Sequence, residues 1–280
     1  MKSETIRIGL SPCPNDTFIC DALLHGKIDT EGLSFEAVFA DVEALNQMAM
    51  KEELPLTKVS FHAFLYLAEH YRLLDAGCAL GRGCGPLLIS GKKRDLTEIT
   101  QLKIAIPGPY TTAHLLFTLA FPDALNKESF VFSEIEQAVL SGRTDTGLLI
   151  HETRFTYREK GLVALMDLGD FWEGLTGLPV PLGGFILQRS FNEEMQSKIS
   201  RIMRRSVAFA LENPSSSLPF IREHALEMDE EVISAHINLY VNSFSLELGE
   251  EGRQAIFSLF SEAHDAGLQV WQSSDFFARS

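Results

Sequence analysis

The sequence predicts an α/β fold in two lobes, the second inserted into the first, with a helical region toward the C-terminal end. Three observations predict it. Strand-like and helix-like segments alternate over the first ninety residues and alternate again from about residue 89. Two glycine- and proline-containing apolar segments, "ALGRGCGPLLIS" (79–90) and "GLPVPLGGFILQ" (177–188), bracket that second unit. Residues 190–280 carry mostly helical periodicity. A chain that leaves one lobe, builds a second and returns would give residues 1–88 and 183–280 to a larger discontinuous lobe and 89–182 to a smaller one. Each lobe would then own a largely parallel sheet, with a cleft between them and the two crossings as a hinge.

The elements follow in order. "TIRIGL" (5–10) reads as a strand, and "DTFICDALLHG" (16–26) as a helix that Gly26 can close. Residues 33–40 form a strand, and 41–52 a helix with Asp41 as N-cap. A short strand at 56–61 leads into a helix at 62–71. Gly81, Gly83 and Gly85 imitate a dinucleotide fingerprint, but they precede a strand instead of following one and opening a helix, so they read as a hinge or close-packed turn. In the second unit, strands are expected at 102–108, 129–133, 144–150 and 162–169. Helices are expected at 111–121, 134–143 and 170–177. A long amphipathic helix at 193–213 stops at Pro214, and helices at 217–226, 229–242 and 251–267 follow. Ile233, Ile237, Tyr240 and Val241 fall at helical spacing and read as core.

Composition narrows the function. With 280 residues, 45% of them hydrophobic, the chain can bury a substantial core. Its formal net charge of −14 argues against nucleic acid and anionic membranes as partners. It does not exclude an anionic substrate, because a helix N-terminus or a lysine acts locally. No signal-peptide pattern opens the sequence, and no apolar run reaches the roughly 18 residues of a membrane span, so a cytoplasmic protein is expected. Cys13, Cys20, Cys78 and Cys84 form no CxxC and read as reduced thiols. No carboxylate–histidine cluster shows metal spacing, and His224, His236 and His264 lie on C-terminal helices without evident partners. Nothing in the sequence sets the oligomeric state.

Three stretches would face the cleft, since ligands in open α/β sheets lie beyond the C-terminal ends of strands. "SPCPNDTF" (11–18) offers Asn15 or Asp16 at a helix start, where a simple cap is the alternative role. "KVSF" (58–61) puts Lys58 and Ser60 on one face of a strand, suited to a carboxylate, although Lys58 could equally be a solvated charge. "PGPYTTAH" (107–114) repeats the first arrangement, with Thr111, Thr112 and the amide of Ala113 able to converge on one anionic oxygen. His114 inside that helix reads as a half-buried or surface histidine. His151 in "LLIHETRF" (148–155) ends a strand on the same edge, where a neutral imidazole can accept a proton or simply terminate the strand. Glu152 and Arg154 are its candidate orienters or ion-pair partners, and Arg154 is also a candidate substrate contact. No serine or cysteine nucleophile accompanies it.

Taken together, "SPCPNDTF", "LPLTKVSFHAF", "ALGRGCGPLL", "PGPYTTAH", "GLLIHETRFTY", "TGLPVPLGG" and "YVNSFSLELGEEG" resemble the 1,4-dihydroxy-6-naphthoate synthase family of the futalosine route to menaquinone, from about residue 6 to residue 270. The resemblance implies a type II periplasmic-binding-protein-like fold. It implies a small-molecule substrate with an aryl carboxylate, cyclic dehypoxanthinyl futalosine, cleaved to 1,4-dihydroxy-6-naphthoate and dihydroxyacetone without metal or redox cofactor. It places the family's base at His151, and its substrate contacts at Lys58, Val59, Ser60, Thr112 and Ala113, with Thr111 adjacent. Cys20–Asp21, where an aromatic pair is frequent, and Thr153, where smaller residues are usual, depart from the pattern. Competing expectations are chorismate dehydratase, which shares pathway and fold, and a non-catalytic cytoplasmic small-molecule sensor. The "IHE" segment and "SPCPNDTF" favour the synthase over the dehydratase.

Overall fold

The structure, a computed structural model, describes residues 4–225, 229–268 and 275–279. The chain begins β1 (Glu4–Leu10), α1 (Pro14–Leu24), β2 (Leu33–Phe39), α2 (Val42–Met50), β3 (Leu56–Ser60), α3 (Phe61–Leu67), β4 (Tyr71–Leu73) and β5 (Ala79–Gly81). It continues through β6 (Leu87–Ser90), β7 (Ile104–Ile106), α4 (Thr112–Ala120), β8 (Lys127–Ser129), α5 (Ile135–Leu140), β9 (Thr146–Leu149), α6 (Thr153–Thr156), β10 (Val163–Asp167) and α7 (Leu168–Thr176). It returns by β11 (Val180–Gln188) and ends in α8 (Glu193–Glu212), α9 (Leu218–His224), α10 (Glu230–Tyr240), α11 (Ser243–Leu246) and α12 (Gly249–Asp265). Leu226, at the end of the helix expected over 217–226, lies outside the described residues.

Two sheets form. One has the order β2-β1-β3-β11-β4, with β5 also paired to β11; the other is β10-β6-β9-β7-β8. Neither is largely parallel, as the alternation suggested. The returning β11 runs antiparallel to β3, β4 and β5, and β6 runs antiparallel to both β9 and β10. Periodicity reports a strand's faces but not its direction, and a crossing strand that comes back into its first sheet can enter from either end. The helix expected over 62–71 stops at Leu67, and Tyr71–Leu73 pairs with β11, a strand too short to show alternation. The 79–90 segment divides: β5 belongs to the first sheet, β6 to the second, and the glycine-rich turn joins them.

That turn is close-packed. A Cβ on Gly85 would stand 2.2 Å from the backbone nitrogen of Gly169 at the start of α7. Asn15 and Asp16 do not cap α1, which starts ahead of both at Pro14, after Cys13, but two other caps follow the sequence reading. Asp41 accepts from the amides of Glu43 (3.0 Å) and Ala44 (3.2 Å), and Thr111 accepts from the amide of His114 (3.3 Å).

The core lies in layers. α8 presses Ile199, Ile202, Met203 and Val207 onto one side of the first sheet with Phe18 and Ile19 of α1. Ile135 and Val139 cover one side of the second sheet over Ile89 and Ala105. Between the sheets, Val59, Phe61 and Leu73 join Leu88, Ile104, Leu116 and Trp172 in one apolar body. Each such large side chain contributes about 1.5–3 kcal/mol by leaving water. All four cysteines are free and buried. Among the described residues, no helix is long and apolar enough to cross a membrane.

Candidate functional site

A cleft opens between the two sheets, about 670 Å³ with its mouth included. The loops after β1, β7 and β9 and the C-terminal end of β3 converge on it. Asn15, Asp16, Lys58, Val59, Ser60, Thr111, Thr112, Ala113 and His151 all line it, with Ser11, Leu182, Gly183 and Tyr240.

On the first-sheet side, Asp16 organises the loop. Its carboxylate accepts from the amide (3.2 Å) and hydroxyl (2.9 Å) of Ser11 and from the Asn15 side chain (2.9 Å). Lys58 Nζ lies 3.0 Å from Asp16 Oδ1, donates to the Gly77 carbonyl at 2.9 Å, and stands 4.9 Å from the centre of the Phe185 ring. Both partners are buried, so Lys58 is not a solvated charge. A buried pair of this kind fixes geometry more than it adds stability. Two of the three ammonium N–H groups are taken; one remains for a ligand. Ser60 is held by Asn46 of α2, whose side chain accepts from the Ser60 amide (2.9 Å) and donates to its hydroxyl (3.3 Å).

On the opposite wall, the start of α4 presents the amides of Thr112 and Ala113. As the first residues of a helix they have no intrahelical acceptor and carry the positive end of its dipole. The threonine hydroxyls themselves are engaged. Thr111 donates to the Gly108 carbonyl (2.9 Å), and Thr112 donates to the Leu182 carbonyl (2.6 Å) and accepts from the His62 amide (3.3 Å). The backbone, not the hydroxyls, is therefore the free donor set. His114 is half-buried, bonded to the Pro109 carbonyl at 2.8 Å.

His151 follows β9 and Ile150 with φ +58°, a left-handed conformation unusual for a residue with a side chain. Its ring meets Phe132 edge-on at 4.9 Å and lies nearly parallel to His236 at 6.3 Å. Its Nε2 is buried with no hydrogen-bond partner among the described residues. Burial pushes the His151 pKa below the ordinary imidazole value, opposed by the charges of Glu152 and Asp16. This favours the uncharged ring, the form able to accept a proton.

Three assignments change. Arg154 does not reach the cleft: its guanidinium donates to the carbonyls of Gly83 (2.9 Å) and Gly85 and pairs with Asp167 at 2.8 Å. It clamps the glycine-rich turn instead of orienting His151. His236 is not isolated. It is buried, 3.0 Å from Asn15 Oδ1, and since the Asn15 amide already donates to Asp16, Nε2 of His236 carries the proton and Nδ1 is bare, buried and unpartnered. Burial, then the neighbouring His151, drive its pKa well down. The signal was present: a histidine within the stripe Ile233–Ile237–Tyr240, which is core on one side and cleft wall on the other. Lastly, the fold brings Cys13, His151 and Glu152 together, with one donor atom of each within 4.8 Å of the others, a cluster that spacing along the chain did not show.

Comparison with known proteins identifies the family and the fold. A sequence profile of the family described as menaquinone biosynthesis matches residues 6–265. The 1,4-dihydroxy-6-naphthoate synthase of Thermus thermophilus is 44% identical over 265 residues, 95% of this chain and 96% of its own. The crystal structure of a protein from Archaeoglobus fulgidus has a TM-score of 0.90 at 36% identity, covering 95% of this chain and 99% of that one. A Candida albicans gene product with the generic periplasmic binding protein fold matches at TM-score 0.70 and 13% identity, over 97% of this chain and 92% of its own. That likeness is one of fold alone, and it makes the architecture periplasmic-binding-protein-like.

Proposed function

This chain belongs to the menaquinone-biosynthesis family, and on that footing we propose that it is a carbon–carbon lyase that converts cyclic dehypoxanthinyl futalosine to 1,4-dihydroxy-6-naphthoate and dihydroxyacetone. The observation that carries the reading is His151: an imidazole at the cleft whose burial favours the uncharged form, with a buried nitrogen that no group among the described residues occupies.

The parts act as follows. The aryl carboxylate docks on the amides of Thr112 and Ala113, whose helix dipole favours an anion. The hydroxyl of Ser60 and the remaining N–H of Lys58 hold the polar remnant of the sugar. Asp16 keeps the ammonium fixed and leaves the cleft without a surplus positive charge. The two lobes, residues 1–88 with 183–280 and residues 89–182, close over the substrate and exclude water. His151 removes a proton, the carbon–carbon bond breaks, and the ring becomes aromatic. The three-carbon fragment leaves after regaining a proton, so the overall change needs proton movement and no electron donor or acceptor.

The test is direct turnover. The purified chain should release 1,4-dihydroxy-6-naphthoate from cyclic dehypoxanthinyl futalosine and leave chorismate unchanged. His151→Asn should lower turnover by about 10²–10⁴-fold while substrate binding and the folded circular dichroism spectrum persist. Full activity in that variant, or dehydration of chorismate by the wild type, overturns the reading. Tight substrate binding without turnover would mark a sensor.

A further inference from the structure

We propose that Cys13, His151 and Glu152 form a binding site for one divalent cation of the zinc class, and that a cation seated there silences the base. The second half rests on the role proposed for His151; the site itself does not.

The three residues come from two separate parts of the chain. Cys13 immediately precedes α1, while His151 and Glu152 follow β9. Thiol, imidazole and carboxylate are the donors that select zinc or cobalt(II) over calcium or magnesium, which prefer oxygen alone. Their donor atoms lie within 4.8 Å of one another. Ligands around a tetrahedral zinc ion stand about 3.5 Å apart, so rotations that draw the side chains in by about 1 Å complete the set.

A second observation points to a ligand independently. Glu152 is only 6% exposed, and its Oε2 is buried with no hydrogen-bond partner among the described residues. Nε2 of His151 is in the same condition. Arg154, two residues on, is committed to Asp167 and the glycine-rich turn, so it does not neutralise this carboxylate. Buried polar atoms without partners are costly, and a cation would satisfy both. Three protein ligands leave the fourth tetrahedral position open, as in zinc sites that accept an exogenous ligand.

The inhibition follows from the electron count. A neutral imidazole has one lone pair. Given to a metal ion, that pair cannot take a proton from a substrate, whichever ring nitrogen is used. Binding also displaces the thiol proton of Cys13 to solvent, leaving a thiolate–metal bond, with no change of oxidation state.

The experiment uses the full chain after chelator treatment, titrated with cobalt(II) chloride alone. One equivalent should produce a thiolate-to-cobalt charge-transfer band in the near ultraviolet. Cys13→Ser should abolish the band, and Glu152→Gln should weaken cobalt binding about tenfold or more. Zinc chloride should stop turnover of the wild type and chelator should restore it, while Cys13→Ala keeps its turnover with sensitivity to zinc reduced by about tenfold or more. Absence of the band in the wild type, or unchanged cobalt affinity in folded Glu152→Gln, overturns the site. A band together with turnover that zinc leaves intact overturns the silencing. A band in a chain whose metal-free form never turns over substrate overturns the proposed function and leaves the site standing.

Discussion

At the scale of the residue, the cleft works by committing most of its polar atoms and leaving a few free. Asp16 absorbs donors from Ser11 and Asn15 and the charge of Lys58; Asn46 absorbs the Ser60 amide. What remains are the amides at the head of α4, the hydroxyl hydrogen of Ser60, whose oxygen alone Asn46 engages, one ammonium N–H and the His151 ring. The state of that ring makes a prediction about pH. On the role proposed for His151, the free base is the active form and kcat/KM falls as acid protonates it. Because burial lowers the His151 pKa, the acid limb of the profile in chelator-treated enzyme should lie below the ordinary imidazole value of about 6.5. A limb at or above that value would remove desolvation as the controlling effect.

At the scale of the element, strand ends did what strand ends do in open α/β folds, and the loops after β1, β7 and β9 and the C-terminal end of β3 were therefore legible. The stretches 11–18, 58–61, 107–113 and 148–151 could be placed at one edge from pattern alone. Support from outside those loops was not legible. Asn46 and His236 act through helices α2 and α10 whose docking no local pattern encodes, and Arg154 looked like a neighbour of His151 because sequence proximity hides a change of direction after β9. The glycine-rich turn reads in the sequence as a hinge or a close-packed turn, and Gly85 shows the close packing. An added Cβ meets backbone at 2.2 Å, which a rotamer change cannot relieve. Gly85→Ala should cost about 1–3 kcal/mol or more in urea unfolding, and should lower activity as well, since Cys84 and Pro86 line the cleft. An unchanged urea midpoint would show that α7 gives way freely.

At the scale of the whole molecule, hydrogen bonds span the cleft: the His62 ring to the Thr111 carbonyl at 3.1 Å, and the Tyr110 amide to Glu43 at 3.2 Å. His62 is buried, and desolvation is the main cause that holds its pKa at about 4. In the unfolded chain it titrates near 6.5. Between those values the unfolded state binds a proton that the folded state refuses, so its contribution is intact above about pH 6.5 and is lost as pH falls toward 4. The loss amounts to about 3 kcal/mol from this one group. His114, His151 and His236 are depressed in the same direction and steepen the slope. Urea midpoints measured from pH 7 to pH 4 should therefore decline, and His62→Gln should flatten part of the decline. The left-handed backbone at His151 has a consequence of another kind. A side chain in that region costs about 1–2 kcal/mol relative to glycine. His151→Gly should raise the melting temperature of an inactive protein. A library screened for heat resistance alone would then enrich glycine there and discard the reaction, so endurance and chemistry draw this single position toward opposite outcomes.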